Sequence, residues 1–122
     1  MSDASIAGNN RLLLLDDDAG ILRLQRKRLE SAGYSTMAVQ TAAAARGELR
    51  ASPYALLVLD YRLEAGESGL EFYQSLRAEG CDVPAILVTA FSDENKLFEA
   101  LRAGVRDVIP KSGEYLDYLP QA

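Results

Sequence analysis

A chain of 122 residues with 48% apolar side chains can build one globular core and has no room for a second domain. Its net charge of −5 argues against a nucleic-acid backbone or an anionic membrane as the main partner. The absence of histidine excludes Ser-His-Asp triads, histidine-rich zinc sites and a phosphohistidine carrier, and the single cysteine, Cys81, excludes an internal disulfide framework and reads as a bystander thiol in a reducing cytosol.

The chain opens on a polar stretch, residues 1–10, which lacks the basic-then-apolar order of a signal peptide and reads as a disordered lead. Residues 11–122 read as the folded domain. No apolar run approaches the roughly 18 residues of a membrane span. Leu12–Leu15 is continuously apolar, as expected of a strand buried on both faces in a parallel sheet. A helix is expected over Ala19–Ala32, with Ile21, Leu24 and Leu29 inward and Gly33 as its stop. Thr36–Val39 reads as the second strand, and Thr41 caps an alanine-rich helix to about Arg50. Leu56–Leu59 is the third strand. Ser68 caps the next helix, with Leu70, Tyr73 and Leu76 inward and Gly80 ending it. Ala85–Val88 is the fourth strand, followed by a helix capped by Ser92 or Asp93 that packs Leu97, Ala100 and Leu101 and stops at Gly104. Val108–Ile109 is the last strand, placed at a sheet edge because Pro110 lacks a ladder donor. This alternation implies an α/β doubly wound parallel sheet.

In such sheets sites form beyond the carboxyl ends of the strands. The residues found there are Asp16, Asp17 and Asp18 after the first strand, Asp60 after the third, Thr89 after the fourth and Lys111 after the fifth. Asp18 alone reads as the cap of the following helix. The others put carboxylates, a hydroxyl and an ammonium on one rim. Clustered carboxylates resist full ionisation unless a cation is bound, and an all-oxygen set suits Mg2+ or Mn2+. A metal held by few carboxylates keeps positions for phosphate oxygens, and Lys111 and Thr89 add charge and a donor. A carboxylate can itself be the nucleophile.

The stretches "LLLLDDD", "LLVLDYRL…SGLE", "LVTAF" and "VIPK" occur in that order and spacing. From Arg11 to about Leu119 they make the chain resemble the receiver domain of two-component response regulators. The resemblance implies a flavodoxin-like five-stranded parallel sheet of order 2-1-3-4-5 between helices. It implies that Asp60 is the phosphoacceptor and that Mg2+ is held by Asp17, by Asp16 largely through water, by Asp60 and by the main-chain carbonyl of Arg62. Thr89 would then bond a phosphoryl oxygen, and Lys111 would pair with Asp60 and afterwards with the phosphate. The phosphoryl donor would be a histidine kinase or histidine phosphotransfer protein, and the product would switch an attached output domain or a partner. On this reading the protein is no enzyme beyond its own phosphorylation and dephosphorylation, works in the cytoplasm without touching nucleic acid or membrane, and is a monomer or weak dimer.

Several features depart from the family pattern. The loop after Asp60 carries Glu64 where proline is frequent, Pro110-Lys111-Ser112 replaces the usual Lys-Pro, and Val108 stands at the family's aromatic switch position. Arg62 and Phe91, two residues beyond Asp60 and Thr89, are expected to tune phosphate lifetime by shielding it from water. Arg23, Arg26, Lys27 and Arg28 on the first helix read first as a solvated face, with contact to the phosphodonor as the functional alternative, and Pro120 implies a short or truncated fifth helix. Two alternatives stand beside this reading. One is a receiver-fold interaction module that works without phosphorylation. The other is a haloacid-dehalogenase-like phosphatase, in which Asp16 would be the nucleophile and Asp18 the acid/base, leaving Asp60 without a role.

Overall fold

Four consecutive leucines can be interior in a strand only if both faces of the sheet are covered, and this arrangement is found. The computed structural model describes residues 10–63, 68–89 and 94–110, with the backbone alone for 94–97. Strand β1 (Arg11–Leu15) lies inside the sheet with Leu12 to Leu15 all buried. Leu13 and Leu15 point into one hydrophobic cluster, and Leu12 and Leu14 into another on the opposite face. The remaining strands are β2 (Ser35–Val39), β3 (Leu56–Asp60), β4 (Ala85–Thr89) and β5 (Asp107–Pro110). All neighbours are parallel, and the order is β2-β1-β3-β4-β5, as the resemblance implies. Pro110 ends the edge strand β5, opposite Thr89.

The helices are α1 (Ala19–Ser31), α2 (Ala42–Ala51), α3 (Gly69–Ala78) and α4 (Glu94–Ala103). Ala45 of α2, Leu70, Phe72, Tyr73 and Leu76 of α3, and Ala100 of α4 share one core cluster with Leu57, Leu59 and Leu87 of the sheet. Leu22 and Leu29 of α1 cover the other face, with Val58, Ile86, Val88 and Ile109. The expected caps at Thr41 and Ser68 are present, the latter as a full capping box with Glu71. Gly33 takes the left-handed conformation, φ +101°, where α1 gives way to β2.

Two helix faces differ from expectation. In α1 the buried residues are Leu22, Gln25 and Leu29, whereas Leu24 is 49% exposed. The inward stripe runs i, i+3, i+7 through a glutamine, which a purely apolar count reads as outward. In α4 Ala100 is buried and Leu101 is 47% exposed, because the next residue on a helix is turned about 100° away. The expected caps Ser92 and Asp93, residues 1–9 of the expected lead, and the tail from Lys111, where a short or truncated fifth helix is expected, lie outside the described residues. Asn10, the last residue of the expected lead, donates from Nδ2 to the Gly33 carbonyl at 2.8 Å and accepts the Ser35 N–H. Among the described residues no helix is long and apolar enough to cross a membrane.

Candidate functional site

The chain runs from β1 outward to β2, then returns past β1 to β3, so the strand order reverses between β1 and β3. Crossover connections there diverge to opposite faces and leave a crevice at the carboxyl ends of those two strands. Asp16 and Asp17 follow β1, and Asp60 is the last residue of β3. The topology therefore brings together residues separated by more than forty positions.

The three consecutive aspartates are used differently. Asp16 is 1% exposed; its N–H continues the ladder to the Val39 carbonyl at 3.3 Å, and its Oδ1 accepts the Asp18 N–H at 2.9 Å. That bond folds the chain out of the strand. Asp17 is half-buried, and its carbonyl accepts Nε2 of Gln40, which follows β2, at 3.2 Å. Asp18 is exposed and caps α1, its Oδ1 accepting the N–H groups of Gly20 at 2.8 Å and Ile21 at 3.2 Å. With its carboxylate so engaged at a helix terminus, Asp18 is poorly placed for the acid/base role of the phosphatase alternative.

Asp60 is 7% exposed and paired in register with Val88. The next residue, Tyr61, is clamped on both sides: its N–H donates to the Val88 carbonyl at 2.8 Å, and its carbonyl accepts the Gly69 N–H at 2.7 Å. Thr89 ends β4, one residue further along the neighbouring strand, and is 8% exposed. One oxygen from each of Asp16, Asp17 and Asp60 lies within 4.8 Å of the others. Two of these carboxylates are withdrawn from water, so the cluster is costly without a counter-charge.

This donor set fits a small divalent cation. All ligands are hard oxygens, and Mg2+ takes oxygens at about 2.0–2.1 Å while keeping several waters. Oxygens bound directly to one such ion stand at most about 4.2 Å apart, the same scale as the 4.8 Å within which these three carboxylates lie. Arg62 is exposed, between β3 and α3. Lys111 and Phe91 lie outside the described residues. Sequence reasoning did not mark Gln40, which has no motif to announce it. Gly69 entered only as part of "SGLE".

The family profile described as "Response regulator receiver domain" matches residues 12–117. AlgB of Pseudomonas syringae pv. tomato, an alginate biosynthesis transcriptional regulatory protein, is 32% identical over 109 residues, 89% of this chain and 24% of AlgB. The chain thus spans about a quarter of the length of such relatives. Among solved structures, the receiver domain of a Francisella response regulator matches with TM-score 0.84 at 23% identity, over 93% of this chain and 92% of that one. The Thermotoga maritima response regulator TrrA, solved in complex with Mg2+-BeF, matches with TM-score 0.79 at 28% identity, over 92% of this chain and 94% of that one.

Proposed function

This chain belongs to the response regulator receiver domain family, and from that premise we propose that Asp60 accepts a phosphoryl group from a histidine kinase or a histidine phosphotransfer protein. The observation that carries the reading is the convergence of Asp16, Asp17 and Asp60 at the β1/β3 reversal. A carboxylate oxygen of Asp60 attacks the donor's phosphorus. The Asp60 O–P bond forms, the donor's N–P bond breaks, and the bonding pair returns to the imidazole nitrogen. Protein groups here mainly supply position and charge neutralisation.

Asp17, Asp60 and the Arg62 carbonyl hold Mg2+, or Mn2+ in its place, with Asp16 reaching it through water. When bound, the cation neutralises charge on the carboxylates and on the incoming phosphoryl oxygens. Thr89, at the end of the adjacent strand, donates its hydroxyl to a phosphoryl oxygen, and Lys111 offsets the charge of Asp60 and then of the phosphate. Residues 11–122 act as the receiver. The exposed cations of α1, Arg23, Arg26, Lys27 and Arg28, face the phosphodonor. The response is read by an attached output domain or a separate protein in the cytoplasm, without direct contact of this domain with nucleic acid or membrane, and the receiver itself is a monomer or weak dimer.

Incubation with acetyl phosphate and Mg2+ tests the reading. Wild type gains one phosphoryl group by intact mass, and Asp60→Asn gains none while remaining folded by circular dichroism. A wild-type protein that gains no mass, and whose amides around Asp60 do not move with beryllofluoride, refutes it.

A further inference from the structure

Gly69 is the first residue of α3, buried, with its N–H bonded to the carbonyl of Tyr61. A Cβ at this position would stand 2.1 Å from the carbonyl oxygen of Asp60, 3.0 Å from its carbonyl carbon and 3.3 Å from Cδ2 of Leu87. Ordinary contact begins at 3.4 Å, so any side chain forces a relative shift of more than an ångström between helix and strand. The atom in the way is backbone and cannot rotate aside.

Neither partner yields easily. β3 is hydrogen-bonded on both sides, by β1 and β4. α3 is seated by the buried Leu70, Phe72, Tyr73 and Leu76, and the Tyr73 hydroxyl donates to the Gly104 carbonyl at 3.0 Å. The end of β3 is therefore held by the sheet, by the clamp on Tyr61, and by the bare Cα of Gly69 resting on the Asp60 carbonyl. We infer that Gly69 is a positioning residue for Asp60: its lack of a side chain sets the main chain of Asp60, and through it the distance of that carboxylate from those of Asp16 and Asp17. This role in phosphoryl transfer rests on the function proposed above.

The test compares Gly69→Ala with Leu76→Ala, which removes buried packing from the same helix without touching Asp60. Each variant is assayed while folded, for the acetyl phosphate labelling rate at saturating Mg2+ and for Mn2+ affinity by electron paramagnetic resonance. Gly69→Ala is expected to label at least about tenfold more slowly, within what a misplacement near 1 Å costs, and to bind Mn2+ more weakly by about tenfold. Leu76→Ala keeps both values within about twofold of wild type, since a folded molecule retains the site wherever the packing loss lies elsewhere. Trimethylamine N-oxide keeps a destabilised variant folded for the same comparison.

Wild-type labelling and Mn2+ binding in folded Gly69→Ala overturn the assignment. So does equal impairment in Leu76→Ala, or failure of Gly69→Ala to fold under conditions that fold Leu76→Ala. If wild type itself is not labelled, the proposed function fails, while the Mn2+ comparison still decides whether Gly69 positions Asp60.

Discussion

Asp17→Asn offers the sharpest test of the acidic cluster, because Asp17 is half-buried and the one hydrogen bond described at this residue is made by its main-chain carbonyl. The substitution keeps the shape and removes a charge that stands within 4.8 Å of two others. At that separation a like-charge pair costs about 3.5 kcal/mol for an effective dielectric of 20 and about 0.9 kcal/mol in bulk water. Asp17 lies nearer the aqueous limit, so relief of two pairs is worth about 2 kcal/mol. For a chain of this length that is about 6–10 °C in Tm. Asp17→Asn is therefore expected to melt above wild type in EDTA.

Mg2+ narrows this gap without closing it. At a free concentration ten times its Kd the ion stabilises wild type by about 1.4 kcal/mol, or about 4–7 °C, through mass action. The variant, lacking a ligand, gains less than half of this. Sodium chloride near 1 M shortens the screening length to about 3 Å and narrows the gap seen in EDTA. Melting curves by circular dichroism in EDTA, Mg2+ and high salt give all three comparisons. An Asp17→Asn protein that melts at or below wild type in EDTA, or that gains as much from Mg2+, refutes the reasoning.

Asp18→Ala removes the cap of α1 without touching the cluster, and is expected to cost about 1 kcal/mol in urea unfolding while leaving Mg2+ affinity unchanged. Burial, together with the hydrogen bond and charge of Glu48, pushes the Tyr54 phenol up to about 12 against the opposing pull of Arg11. Between pH 10 and 12 the unfolded chain has lost this proton and the folded chain has not, so stability present below pH 10 falls across that window. Tyr54→Phe lacks this fall, and a Tyr54 ring resonance that titrates near pH 10 would contradict it.

The sheet and the rim of the site were legible in the sequence for a physical reason. Parallel strands buried on both faces leave uninterrupted apolar runs, and a polar residue at the end of such a run stands at the carboxyl edge of the sheet. Asp16, Asp60 and Thr89 were found in that way, at 1%, 7% and 8% exposure. Helix faces were less legible where a polar or small residue, Gln25 in α1 and Ala100 in α4, takes a place on the buried stripe. A stripe that includes Gln25 shifts the apparent phase by enough to turn Leu24 outward, and a buried Ala100 does the same for Leu101. The contact at Gly69 is of another kind. Pattern reading weighs what side chains prefer, whereas this position is defined by having no room for one, and the obstacle is a carbonyl oxygen nine residues earlier in the chain. "SGLE" reads as a cap followed by a helix, which is correct and incomplete. The same glycine starts α3 and bears on the proposed acceptor, so a displacement of the Asp60 main chain must either compress that contact or carry the first turn of α3 with it.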